Sequence, residues 1–98
     1  MAQTFHFGPY FFASFEGLAP GASHFWTFGP FAWDDSAIAI TAYPLGHRVI
    51  GDRAVAVSDV QVQITATGAG DTELLHCIVR NVGRDATNYV VWIGGTKP

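Results

Sequence analysis

The sequence predicts an all-β fold, one domain over residues 1–98 built from two packed antiparallel sheets. Three observations lead there. Alternation with period two is the only strong apolar pattern, and no window repeats apolar residues at intervals of three and four while avoiding Gly, Pro and β-branched residues. Gly, Pro, Asn and Asp cluster between the alternating runs, as turns require. The chain has 98 residues and a single cysteine, Cys77, so one core must hold without an intramolecular disulfide.

The first third is dense in rings. Phe7-Gly8-Pro9-Tyr10-Phe11-Phe12 returns in altered form as Phe28-Gly29-Pro30-Phe31-Ala32-Trp33, 21 residues later. Gly-Pro interrupts an extended aromatic segment at the same place in each, which suits a kink or a crossing between sheets. Between the copies, Gly17-Leu18-Ala19-Pro20-Gly21-Ala22-Ser23 has a turn composition, with Pro presetting φ and Gly accepting a positive one. Tyr10 to Phe31 is therefore expected to form a hairpin.

Ser36 to Tyr43 alternates weakly around Ile38, Ile40 and Tyr43, and Pro44-Leu45-Gly46 breaks it. Residues 45–53 read as an exposed connection with room for a short edge strand. From Ala54 to Ala66 the apolar set changes phase, Val55 and Val57 being odd and Val60, Val62 and Ile64 even. A β-bulge near Ser58-Asp59 restores them to one face. Gly68-Ala69-Gly70-Asp71 supplies the next turn. Glu73 to Val82 is apolar in both alternating sets, as a central strand is. Gly83-Arg84-Asp85 then turns the chain into Asn88–Ile93, which is expected to pair with it as a hairpin ended by Gly94-Gly95 and Pro98.

Two phrases resemble immunoglobulin-like modules of the CARDB type, which occur in extracellular and surface proteins. One is Leu18-Ala19-Pro20-Gly21-Ala22-Ser23 followed by His24 to Phe28; the other is Val79-Arg80-Asn81-Val82-Gly83 followed by Tyr89-Val90-Val91-Trp92. Their order departs from that family, in which the Asn-x-Gly phrase normally precedes the Pro-Gly turn. The resemblance implies a small antiparallel immunoglobulin-like β-sandwich of about six to eight strands. It also implies a non-catalytic binding or spacer role.

Composition narrows the function classes. Only 13% of residues are charged, against 49% hydrophobic and 14% aromatic, so part of the apolar surface is expected to meet something other than water. Net charge is −3, and the cations Arg48, Arg53, Arg80, Arg84 and Lys97 are scattered, so no basic stripe exists to neutralise a run of phosphates. Nucleic acid is not the expected partner. No run of about 18 apolar residues offers a membrane span, and Met1-Ala2-Gln3-Thr4 lacks the positive region of an export signal, so the expectation is a soluble chain.

Chemistry-bearing motifs are sparse. His6, His24, His47 and His76 lack ligand spacing and an accompanying Glu, and neither a metal nor a cofactor is expected. His76 shares a strand face with Leu74 and Ile78, where a neutral imidazole needs a hydrogen-bond partner. Asp34-Asp35-Ser36 and Asp71-Thr72-Glu73 offer oxygen ligands of the kind Ca²⁺ takes, but without calcium-loop spacing they read as polar caps on strand ends. Cys77 lies mid-strand, where burial raises a thiol's pKa and blocks its access, so it is expected to be inert.

What remains is the ring excess. Alternation sends neighbours to opposite faces: if Phe25 points inward, His24 and Trp26 point outward, and if Tyr10 and Phe12 point inward, Phe11 does not. One sheet face is thus expected to carry exposed rings, which mark a partner surface. The residues assigned to it are Phe11, His24, Trp26, Trp33, Asp34, Asp35, Asn88 and Trp92. Three functions compete. The first is self-association into a homo-oligomer, the second binding of carbohydrate by a lectin-like adhesive module, and the third a small enzyme with His76 or His47 as base.

Overall fold

A computed structural model describes residues 3–30, 35–46 and 50–98. Six strands occur among them: β1 Gln3–Phe12, β2 Ser23–Phe28, β3 Ala37–Pro44, β4 Val55–Thr67, β5 Gly70–Asn81 and β6 Tyr89–Lys97. They form two three-stranded antiparallel sheets, ordered β1-β6-β3 and β2-β5-β4. The protein is a small all-β sandwich, and among the described residues no helix is long and apolar enough to cross a membrane.

The two central strands carry the core. Tyr89, Val91 and Ile93 of β6 face Leu75, Cys77 and Val79 of β5, and all six are sealed from solvent. Each such apolar side chain contributes about 1.5–3 kcal/mol by leaving water. Leu18, Phe28 and Ile40 complete the buried cluster. β3 packs against β4 across the interior, closing one side of the sandwich. On the other side the link between β1 and β2 is aromatic, through Tyr10 on Phe28 and Phe12 on His24, each with ring centroids 5.0 Å apart.

β5 and β6 were expected to pair with each other, yet they lie in different sheets. Both are apolar in their two alternating sets because each is flanked on both sides, β5 by β2 and β4, β6 by β1 and β3. Residues 82–88 arch from one sheet to the other, held by the fully buried Asn81. Its Nδ2 donates to the carbonyls of Leu18 and Asp85 (2.8 Å each), and its Oδ1 accepts from the Gly83 amide at 2.8 Å. The expected hairpin from Tyr10 to Phe31 is also a crossing, for β1 pairs with β6 and β2 with β5. A bridge between Leu18 and Thr87 pins the two crossings together at one end of the molecule.

The bulge on β4 lies where the phase change placed it. The register shifts between Ser58 and Gln61, and Asp59 holds φ 53°. On β1 the register shifts between Phe7 and Tyr10, around Gly8-Pro9. Gly8 and Gly29 share φ 124° and both precede a cis proline, so the sequence echo is a backbone echo as well. A Cβ on Gly8 would meet the Val91 carbonyl at 3.0 Å and the Trp92 ring at 3.2 Å, so the close approach needs glycine. β6 does not stop at Gly94-Gly95. It runs to Lys97, and the Phe5 ring occupies the space that a side chain at Gly95 would need.

The molecule is elongated. Its radius of gyration is 15.4 Å, against about 12.6 Å for a compact chain of this length. It exposes 6375 Å², where a folded monomer of this mass exposes about 5,500 Å². The β4–β5 ribbon is exposed continuously from Ser58 to Thr72.

Candidate interaction surface

The pairing register sorts the side chains of the β1-β6-β3 sheet into two sets. Tyr10, Phe12, Ile38, Ile40 and Ala42 pair with inward residues of β6 and point into the sandwich. Phe11, Val90 and Tyr43 form one row across the three strands on the outer face, with Trp92 beside Thr41 in the next row. Phe11 and Tyr43 are each 59% exposed and Trp92 39%, while Val90 between the two rings is buried. His6 extends the patch, its ring centroid 6.4 Å from that of Trp92. The outer set runs on through Ala37, Ala39, Gly94 and Thr96. Lys97, the last residue of β6, is the only charged residue on these three strands.

Phe11 and Trp92 thus stand on the outer face, Phe11 opposite in facing to Tyr10 and Phe12 as alternation requires. His24 and Trp26 do not. β2 presents Phe25 outward, and His24 and Trp26 turn inward, half-buried, around the hydroxyl of Tyr89. Trp26 Nε1 donates to Tyr89 Oη at 2.8 Å, and His24 Nδ1 lies 3.1 Å from the same oxygen. Burial raises the Tyr89 pKa, and the Trp26 hydrogen bond offsets part of that rise. This buried hydroxyl decides the facing of β2, because only inward residues reach it.

Asn88 works as a clamp on the backbone of Ser14, its Oδ1 accepting from the Ser14 amide and its Nδ2 donating to the Ser14 carbonyl, both at 3.0 Å. It borders an open cleft of about 250 Å³ at the crossing end, lined also by Phe15, Glu16, Leu45, Arg53 and Thr87. Asp35 is exposed at the turn before β3, with φ 55°. Trp33, Asp34, Phe31 and His47 lie outside the described residues, as does any edge strand at 47–49.

His76 has the partner that its position demands. Its Nε2 lies 2.8 Å from Gln63 Oε1 and its Nδ1 3.0 Å from Thr27 Oγ1, with Phe25 stacked on the ring. An amide oxygen only accepts, so Nε2 carries the proton. Cys77 is buried, which pushes its thiol up to about 11 and holds it protonated. Among the described residues no three His, Cys, Asp or Glu side chains converge as metal ligands would.

Sequence reasoning missed Tyr43, Val90 and His6 as neighbours on this face, and Phe25 as the outward ring of β2 in the other sheet. Tyr43 was readable, because it is odd where Ile38 and Ile40 are even. Fold and surface together define a small β-sandwich with an uncharged, ring-bearing outer face. No family model matches the chain, and neither does any curated protein or solved structure.

Proposed function

We propose that the protein is a non-catalytic, immunoglobulin-like β-sandwich module that self-associates through the outer face of the β1-β6-β3 sheet. The observation that carries this reading is the placement of charge. Two copies of a chain with net charge −3 repel each other, so contact requires a surface free of like charges. Phe11, Tyr43 and Trp92 lie on such a face and expose roughly 300 Å² of ring, counting about 200 Å² for a whole side chain. That is the size of a functional apolar patch on a small protein.

Light scattering on wild type and Trp92→Glu over nanomolar to millimolar concentrations tests the reading. Wild type gains mass with concentration and the variant gains less. A wild type that stays monomeric throughout overturns it. A sugar ligand draws on the same rings, since stacking on Trp92 leaves His6 and Thr41 free to bond hydroxyls. It predicts quenching of tryptophan fluorescence by oligosaccharides at concentrations where the protein is monomeric.

A further inference from the structure

Each sheet has two edge strands, and an edge presents unpaired N–H and C=O groups to any strand that can reach it. Three of the four edges are guarded. β1 is interrupted by the register break at Gly8-Pro9, and β4 by its bulge, which also carries the charge of Asp59. β3 lies against β4 on the closed side of the sandwich. β2 has neither a proline, a bulge nor a charged residue, and its register with β5 runs unbroken from Ser23 to Phe28. Among the described residues no strand pairs with its outer edge.

Two copies of a chain with net charge −3 can meet along β2 without bringing like charges together, because the strand holds none. β2 adjoins the half-buried rings of Phe12, His24 and Trp26 on the open side of the sandwich, and it carries Phe25 exposed on its outer side.

We infer that a second copy of this chain adds its own β2 to that edge, antiparallel, about a two-fold axis normal to the β2-β5-β4 sheet. The proposal goes beyond the sheet-face reading, since it rests on another element and on backbone hydrogen bonds. In such a pair, opposed residues share a face, so Phe25 meets either Phe25 or Thr27 of the other copy and never Trp26. The inner strip of His24 and Trp26 then runs on into the same strip of the second copy. No charge is buried, because β2 has none. With two different self-complementary surfaces on each molecule, association does not stop at a dimer. It closes as a tetramer where the two axes cross at right angles and runs on as a filament where they do not meet.

The test combines light scattering on four proteins with amide hydrogen exchange on wild type. Phe25→Lys brings two like charges together at the proposed axis, and Trp92→Glu blocks the sheet face. The expected result is wild type beyond a dimer, each single variant stopping at a dimer, and the double variant a monomer. The β2 amides that point away from β5 exchange roughly tenfold more slowly at millimolar than at micromolar protein. The edge proposal is overturned if Phe25→Lys matches wild type in mass and β2 exchange does not respond to concentration. In that outcome loss of mass in Trp92→Glu still upholds the sheet face. Protection of β2 by unrelated extended peptides, with none from raised protein concentration, overturns the second copy as occupant.

Discussion

Tyr89 ties the two sheets together with a single oxygen. Its ring stacks on Phe12 at 5.1 Å and its hydroxyl serves Trp26 and His24. Tyr89→Phe keeps the ring and strands the indole N–H, so urea unfolding should report a loss of about 1–3 kcal/mol. Asn81→Ala removes three hydrogen bonds to backbone groups at the crossing, and the same assay should report about 3 kcal/mol or more. Cys77 adds a pH dependence. Its thiol is raised in the fold from 9.0 to about 11, so the unfolded chain loses its proton first as pH rises. The contribution is fully present below pH 9 and drains away toward pH 11, amounting to about 2–3 kcal/mol. Unfolding midpoints should fall across that window, and fall less in Cys77→Val. Parallel curves for the two proteins would contradict this origin.

At the scale of the element, β4 shows how a local irregularity sets faces over a long distance. Asp59, in the left-handed region, adds one residue and so returns Val62 and Ile64 to the side of Val55 and Val57. Deleting Asp59 should turn Gln61 and Gln63 inward and remove the Gln63 bond to His76, with a marked drop in unfolding midpoint. Asp59→Val should cost about 1–2 kcal/mol, because β-branched residues resist positive φ. This bulge was legible because the phase of the apolar residues changes within one strand. The facing of β2 was not, since Ser23–Phe28 holds rings in both alternating sets, and a hydroxyl 61 residues beyond Phe28, on Tyr89, breaks the tie. Likewise, β5 and β6 read as central strands, but the pattern does not name the sheet. Arches and hairpins use the same Gly-Arg-Asp composition, and here Asn81, reaching back to Leu18, makes the arch.

Over the molecule's described residues, charge is kept off β1, β2 and β3, whereas β4 and β5 carry Asp59, Glu73 and Arg80 within them. Asp35, Asp52, Asp71, Arg84 and Asp85 sit in turns or at strand tips. The low charge content foretold exposed apolar surface, but the ring count in the first third did not locate it, since Tyr43 and Trp92 of the outer face come from β3 and β6. Where that surface lies could not be read, because it depends on which strands share a sheet. The proposed self-association covers part of the surplus area. Sedimentation equilibrium of the wild-type chain from about 1 μM to 1 mM tests this most directly. The predicted result is a mass that climbs from 10.6 kDa to multiples of it. A constant mass of 10.6 kDa over the whole range would contradict it.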